Sequence, residues 1–176
     1  MAKSEIEFKF LVDKKEFLND PNIEKYLHSR QGYFHVTEEA VSSFRIALID
    51  YAETGEQVSI INMKGNRTGA SRAEIETKIP RSIGEDMFAM TNHSIEKDRY
   101  HVKANGSVPD LMWEVDVYYG ENFPLVVAEL EVPSEDVTFE KPEWILKNVT
   151  DDDRFYNANL SEVPVSEFLE EYFAML

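Results

Sequence analysis

The sequence predicts an α+β fold whose main element is a largely antiparallel β-sheet that closes into a barrel. About seven segments of the chain alternate apolar with polar residues, and most links between them have hairpin length. The polar side of these segments carries charges of both signs. With 176 residues, of which 43% are hydrophobic, we expect one domain, residues 1–176, with a sizeable core.

Composition and charge exclude several classes of function. A formal net charge of −16 argues against binding of nucleic acid over an extended surface, because phosphate contacts need a basic footprint. The chain has no cysteine, which excludes disulfides, thiolate metal sites and a cysteine nucleophile. No stretch approaches the roughly 20 apolar residues that span a bilayer, and the N-terminus is charged without an apolar leader. We therefore expect a soluble cytoplasmic protein with no membrane partner.

The first strand, predicted over Glu5 to Phe10, sets the pattern for the rest of the chain. Successive side chains of a strand point to opposite faces, so Glu5, Glu7 and Lys9 share one face while the apolar residues between them share the other. A single strand of this kind is typical of a sheet whose polar side faces water. A binding site becomes the better interpretation only because later strands repeat the pattern.

A short helix and two strands are predicted next. Asn19-Asp20-Pro21 offers an N-cap and a first-turn proline, and apolar residues follow at helical spacing, so we predict an amphipathic helix over residues 21 to 30. Strands are predicted from Val41 to Ile49, which contains Arg45, and from Val58 to Lys64, where Asn62 and Lys64 share a face.

The middle of the chain repeats the charged pattern. A fourth strand is predicted over Arg72 to Glu76, and Ser82 with Glu85 forms a capping box for a helix through Met90. Three more strands are predicted over residues 95–103, 113–118 and 125–132, with a hairpin at Asn105-Gly106 after the first of them. Their charged residues are Lys97, Arg99, Glu114, Asp116, Glu129 and Glu131.

The last part of the chain has a different character. Prolines punctuate an acidic, irregular segment after Pro133. From Val165 to Leu176 apolar residues recur at helical spacing, which predicts a helix docked on the barrel rather than a site.

The charges of the predicted strands allow two interpretations. If they face solvent, long side chains form weak ion pairs worth about 0–1 kcal/mol each, and no function follows. If they face inward, they fill a barrel lumen beyond what a packed core tolerates, so the lumen is wet and binds a ligand. The inward set would be the cations Lys9, Arg45, Lys64, Arg72, Lys97 and Arg99, with the carboxylates Glu5, Glu7, Glu74, Glu76, Glu114, Asp116, Glu129 and Glu131.

A lumen of this composition suits a triphosphate. Lysines and arginines from several strands can neutralise its oxygens, and arginine can bind them bidentately. The surplus carboxylates would repel the same substrate unless a divalent cation lay between them, and Mg²⁺ or Mn²⁺ prefers oxygen ligands and bridges carboxylates to phosphate. Carboxylates two residues apart, as in Glu5/Glu7 and Glu129/Glu131, can share such a metal.

An ordered set of motifs over residues 5 to 160 resembles the CYTH superfamily, the triphosphate tunnel metalloenzymes. The matching segments are Glu5-x-Glu7-x-Lys9, Met63-Lys64-Gly65, Arg72-x-Glu74-x-Glu76, Lys97-Asp98-Arg99-Tyr100, Trp113-Glu114-Val115-Asp116, Ala128-Glu129-Leu130-Glu131 and the C-terminal Pro142-Glu143-Trp144, Val149-Thr150 and Tyr156-Asn157. The resemblance implies a closed eight-stranded antiparallel tunnel with flanking helices. It also implies a metal-dependent hydrolase acting on tripolyphosphate, a nucleoside triphosphate or thiamine triphosphate.

The resemblance also implies roles for individual residues. The phosphate-binding residues would be Lys9, Arg45, Lys64, Arg72, Lys97 and Arg99. The ligands of Mg²⁺ or Mn²⁺ would be Glu5, Glu7, Glu129 and Glu131 with Asp116, while Glu74 and Glu76 would either contact metal or orient arginines. Lys9 with Tyr33 would activate water, although a core aromatic is the common interpretation of a single tyrosine.

The sequence departs from the family pattern at three places and leaves three alternatives open. Only Arg45 stands on the second strand where two arginines are usual, Asn62 stands where threonine is common, and Asn148 stands where an acidic residue often precedes the valine-threonine pair. The alternatives to a hydrolase are an adenylyl cyclase of class IV, a non-catalytic module that binds polyphosphate or nucleotide, and a structural protein with an empty tunnel. A homodimer also stays open. We favour hydrolysis because no residue set indicates a pocket for a base.

Overall fold

The computed structural model describes residues 6–36, 41–65, 74–134 and 136–176. The described residues form one antiparallel sheet of nine strands together with four short α-helices. The strands are β1 (Ile6–Val12), β2 (Glu24–Phe34), β3 (Val41–Tyr51), β4 (Gln57–Gly65), β5 (Glu74–Ile79), β6 (His93–Lys103), β7 (Met112–Tyr118), β8 (Val126–Val132) and β9 (Ile145–Asn148). The helices are α1 (Lys14–Leu18), α2 (Arg81–Phe88), α3 (Asn157–Glu162) and α4 (Leu169–Phe173).

The α+β prediction is confirmed, but the closed barrel of eight strands is wrong. The sheet has nine strands in the order β5-β4-β3-β2-β6-β7-β8-β1-β9, and within the described residues no hydrogen-bonded pairing joins its two edges. The two edges are β5 and β9, and β9 is a short strand that pairs with β1 only at Phe10 and Val12.

The predicted helix over residues 21–30 is also wrong, because this segment forms most of β2. The strand pairs with β3 on one side and β6 on the other, and its register slips between Lys25 and Leu27. That irregularity interrupts the alternation of faces along the strand. After it, Ser29, Gln31 and Tyr33 lie on the side of the sheet that also carries the charged residues of the other strands, so the segment does not alternate apolar with polar residues.

Two local predictions fail for reasons of packing. The helix predicted from Ser82 is α2, but Pro80 is its N-cap without a side-chain hydrogen bond, and Glu85 pairs with Arg81 at 3.1 Å instead of forming a capping box. Asn105-Gly106 is not a two-residue hairpin, since the turn runs on to Leu111. Gly106 is required there because a Cβ would lie 2.8 Å from the Thr138 carbonyl oxygen.

Two hydrophobic clusters lie on the two sides of the sheet. On the side opposite the charged residues, Phe10 and Trp113 pack against Phe17 of α1 and against Trp144, with the rings of Trp113 and Trp144 centred 5.9 Å apart. The second cluster lies on the same side as the charges, at one end. It joins Leu11, Tyr118 and Val127 of the sheet to the C-terminal helices.

The C-terminal segment is not the single helix predicted over residues 165–176. A 3₁₀ turn spans Val165–Phe168 and α4 follows it. Val165 and Tyr172 are buried in the second cluster, whereas Phe173 and Leu176 are about half exposed. The helices of the described ranges are all too short or too polar to cross a bilayer.

Candidate active site

The strand register brings the predicted charged residues of β1 and β3 to β8 onto one side of the sheet, which we call the charged face. Residues directly opposite each other in antiparallel strands share a face. The pairs run across the sheet as Lys64 with Glu74, Asn62 with Glu76, Arg45 with Asn62, Tyr33 with Arg45, Arg99 with Asp116, Glu114 with Glu129, Lys9 with Glu129 and Glu7 with Glu131.

The centre of the charged face is buried rather than exposed to solvent. Relative exposure is 2% for Lys9, 1% for Lys97, 0% for Asp116 and 7% for Glu129. Charged side chains are almost never buried to this degree unless they are paired. The interpretation in which these residues form weak surface ion pairs therefore does not apply to this part of the sheet.

Lys9 lies between two carboxylates of the first and eighth strands. Its ammonium contacts Glu129 and lies 3.0 Å from Glu7 Oε1. Burial alone would lower the pKa of Lys9, but the charges of Glu129 and Glu7 raise it above its usual value. Lys9 therefore carries its positive charge throughout the neutral range.

Arg99 contacts three carboxylates of β7 and β8. Its Nε and Nη2 donate to the two oxygens of Asp116, each at 2.7 Å, and Nη2 also donates to Glu129 Oε2 at 2.8 Å. Nη1 contacts Glu114. Since Glu114 and Glu129 stand directly opposite each other, Arg99 offsets a like-charge repulsion within the sheet. Burial would raise the pKa of Glu129, but Lys9, Arg99 and Lys97 hold it well below its usual value.

Lys97 is the most enclosed of these cations. Its ammonium contacts Asp116 and donates to Asn157 Oδ1 at 3.3 Å. Burial lowers the pKa of Lys97 below its usual value, although Asp116 acts in the opposite direction. Asp116 therefore counteracts the effect of burial on the charged form of Lys97.

The other half of the charged face carries Tyr33, Arg45, Asn62 and Lys64. The Asn62 amide nitrogen donates to Glu74 at 2.7 Å and to Glu76 at 3.2 Å, and Lys64 lies 3.6 Å from Glu74. Tyr33 donates to Gln31 at 3.2 Å, and burial raises its pKa to about 12 despite the nearby charge of Arg45. The charges of Glu129 and Asp116 also raise the pKa of Tyr33, so the two halves of the face influence each other.

Two polar contacts come from parts of the chain to which the sequence assigned no site residue. Asn157 Oδ1 accepts from Lys97 and, at 2.6 Å, from the Tyr118 hydroxyl. The backbone N–H of Lys9 donates to Thr150 Oγ1 at 3.0 Å. Val149-Thr150 and Tyr156-Asn157 belong to the motif pattern of the sequence, but that pattern implies no role for the side chains of Thr150 and Asn157.

Some predicted site residues cannot be placed. Glu5 and Arg72 lie outside the described residues. Among the residues that the structure describes, no group of three His, Asp or Glu side chains is close enough to hold a metal ion. A cavity of about 190 Å³ is lined in part by the carboxylates of Glu114, Glu129 and Glu131. Carboxylate oxygens are the donors that Mg²⁺ and Mn²⁺ prefer, so the chemistry of this lining fits either ion.

Comparison with known proteins identifies the family. No family model matches the chain. An inorganic triphosphatase of Acetivibrio thermocellus is 34% identical over 168 residues, which cover 94% of this chain and 98% of that protein. An inorganic triphosphatase of Nitrosomonas europaea is 36% identical over 97 residues, or 53% of this chain and 62% of that protein. The crystal structure of the inorganic triphosphatase NE1496 matches with a TM-score of 0.63 and 28% identity, over 92% of this chain and 95% of that one. The chain therefore belongs to the CYTH superfamily, together with these inorganic triphosphatases.

Proposed function

We propose that this protein is a triphosphatase that hydrolyses inorganic tripolyphosphate at the charged face. The observation that carries the proposal is the convergence of five cations from four strands on one side of the sheet: Lys9, Arg45, Lys64, Lys97 and Arg99. A chain of three phosphates spreads its negative charge along its length, and cations distributed over several strands can contact successive groups. Relatives named inorganic triphosphatase, one of them matched over nearly its full length, support the same activity.

A divalent cation is part of the proposal because carboxylates outnumber cations at the centre of the half of this face formed by β1, β6, β7 and β8. Among the described residues, the carboxylates there are Glu7, Glu114, Asp116, Glu129 and Glu131, and the cations among them are Lys9, Lys97 and Arg99. Mg²⁺ or Mn²⁺ held by Glu7, Glu129 and Glu131 would neutralise part of this excess and polarise the phosphate oxygens. Both oxygens of Asp116 accept from Arg99 and one also contacts Lys97, while the two oxygens of Glu129 accept from Lys9 and Arg99. A metal bound by either carboxylate would therefore replace one of these cations.

In the proposed mechanism water attacks the terminal phosphorus in line with the leaving group, and the chain contributes position and charge. Lys9 stays an ammonium and stabilises negative charge that develops on the phosphate oxygens. Tyr33 stays protonated at neutral pH, because its pKa is raised to about 12. Tyr33 therefore acts as a hydrogen-bonding group that orients water or phosphate, not as a general base.

The experiment that tests this proposal measures products from three substrates. Purified protein is incubated with tripolyphosphate, ATP or thiamine triphosphate, with Mg²⁺ or Mn²⁺, and the products are separated. We expect orthophosphate release, fastest from tripolyphosphate. Cyclic AMP with pyrophosphate would indicate a cyclase instead. Binding of tripolyphosphate by calorimetry without any turnover would indicate a non-catalytic module. A cytoplasmic location, a homodimer and the extent of the domain stay predictions.

A further inference from the structure

Four buried polar atoms on the charged face lack a hydrogen-bond partner among the described residues: Ser29 Oγ, Arg45 Nε, Asn62 Oδ1 and His101 Nε2. Two of them belong to residues that face each other on adjacent strands. One is the Nε of Arg45 in β3, a donor, and the other is the Oδ1 of Asn62 in β4, an acceptor. Arg45 and Asn62 are directly opposite each other in the register. Asn62 as a whole is 1% exposed. Buried polar groups normally find a partner, so an unpaired donor beside an unpaired acceptor points to a ligand.

The orientation of the Asn62 amide is fixed by its other contacts. Its nitrogen lies 2.7 Å from a Glu74 oxygen and 3.2 Å from a Glu76 oxygen. Carboxylate oxygens can only accept, so the NH₂ group must face them and Oδ1 must face the other way. The acceptor therefore cannot be exchanged for a donor by rotating the amide without losing both hydrogen bonds.

We propose that Arg45 and Asn62 form a subsite that selects a monoprotonated terminal phosphate. Such a group has an ionised oxygen that accepts from Arg45 Nε and a P–OH that donates to Asn62 Oδ1. A phosphate group esterified to a nucleoside or to thiamine has no hydrogen of this kind once it is ionised. The subsite thus holds the end of the phosphate chain remote from the attacked phosphorus, in the half of the face formed by β3 and β4. In ATP or thiamine triphosphate that end is the esterified phosphate, which lacks the hydrogen. The inference rests on the proposed function and adds to it a reason for preferring an inorganic chain.

The protonation state gives the test, because a phosphate of this type loses its last proton at a pKa of about 6. At pH 8 the free ligand is almost entirely unprotonated, so binding of the P–OH form must take up a proton from the buffer. Isothermal titration with tripolyphosphate in two buffers of different ionisation enthalpy measures that uptake directly. We expect an uptake of about one proton per ligand in the unsubstituted protein.

A matched set of variants isolates Asn62 Oδ1 from the contacts with the two glutamates. The reference is the double variant E74Q/E76Q, in which the carboxylates no longer need a donor. Adding Asn62→Leu to this reference removes the acceptor, and we expect proton uptake to fall to less than half. Adding Asn62→Asp instead restores an acceptor, and we expect the uptake to return. Thermal unfolding of each variant verifies that it is folded before titration.

Equal proton uptake with Asn62, Leu or Asp at this position would overturn the inference, since the two atoms would then hold only a water molecule. A failure of the proposed function has a different signature. In that case the unsubstituted protein would neither bind nor hydrolyse tripolyphosphate at any pH, with Mg²⁺ or Mn²⁺ present.

Discussion

Glu129 is the residue at which the cost of disturbing the charged face can be worked out from the structure. It accepts from Lys9 on one oxygen and from Arg99 on the other, and it is almost fully buried. Glu129→Gln keeps the shape but removes the charge, and it places an NH₂ group against one of the two cations. Removing one partner of a buried ion pair typically costs about 3–5 kcal/mol.

The lower end of that range applies here because neither cation loses all of its partners. Lys9 keeps Glu7 at 3.0 Å, and Arg99 keeps both oxygens of Asp116. We therefore expect Glu129→Gln to lower the free energy of unfolding by about 3 kcal/mol. For a domain of this size each kcal/mol shifts the unfolding temperature by roughly 2–4 °C, so the expected decrease is roughly 6–12 °C.

The assay is thermal unfolding followed by circular dichroism, without phosphate or divalent metal. Glu56→Gln is the matched control, since the side chain of Glu56 is 57% exposed and lies 3.9 Å from Lys78. The control should change the free energy of unfolding by less than about 1 kcal/mol. If Glu129→Gln changed the unfolding temperature no more than the control, the buried charge network would not stabilise the fold and our reasoning would be wrong.

Four further outcomes are expected. Lys9→Met should lower tripolyphosphate hydrolysis by about 100-fold or more, because an oriented charge is lost, while Lys15→Met at an exposed position should leave the rate unchanged. Tyr33→Phe should lower kcat with little change in KM. Because the pKa of Tyr33 is about 12, the pH profile of the wild-type rate should show no ionisation of Tyr33 between pH 7 and 9. An ionisation in that range that disappears in the variant would contradict the assigned role. The pKa values of Glu129 and Asp98 are lower in the folded than in the unfolded state, so the ionised carboxylates stabilise the fold fully above the unfolded pKa of about 4. This contribution to the free energy of unfolding is lost as the pH falls below about 4, and an unfolding temperature that stays constant from pH 6 to pH 3 would contradict the prediction. EDTA should abolish hydrolysis, and excess Mg²⁺ or Mn²⁺ should restore it; full activity in EDTA would remove the metal from the proposal.

The strands that alternate charged with apolar residues could be predicted from the sequence. A repeat of two residues indicates a strand and also shows which side chains share a face. The predictions that began at Val41, Val58 and Trp113 correspond to β3, β4 and β7 within about two residues. Their registers bring Arg45, Lys64 and Asp116 to one face, which alternation alone also predicted.

What could not be predicted depends on contacts between distant segments. In β2 the residues that follow Leu27 on the charged side are polar or aromatic, and Ile23, Tyr26 and Leu27 fall at helical spacing, so a local pattern indicated the wrong element. β9 has only four residues and forms because β1 offers it an edge. No local pattern of the sequence indicated this ninth strand, whose pairing depends on a segment more than 130 residues away.

At the site, the sequence identified residue types but not their partners. It noted Asn62 as a departure from the family pattern, yet only the structure shows its nitrogen held by Glu74 and Glu76 and its oxygen unpaired among the described residues. Likewise, the two hydrogen bonds accepted by Asn157 require the C-terminal segment to reach the sheet, which no spacing rule predicts.

The position of β1 in the sheet has a consequence for biosynthesis. Its neighbours are β8 and β9, and the partner of Lys9 lies 120 residues further along the chain. During synthesis β1 therefore remains without its partner strands until almost all of the sheet has emerged from the ribosome. Pairings this distant in sequence slow folding, and we expect the nascent chain to need protection of its apolar Ile6, Phe8 and Phe10 during that interval.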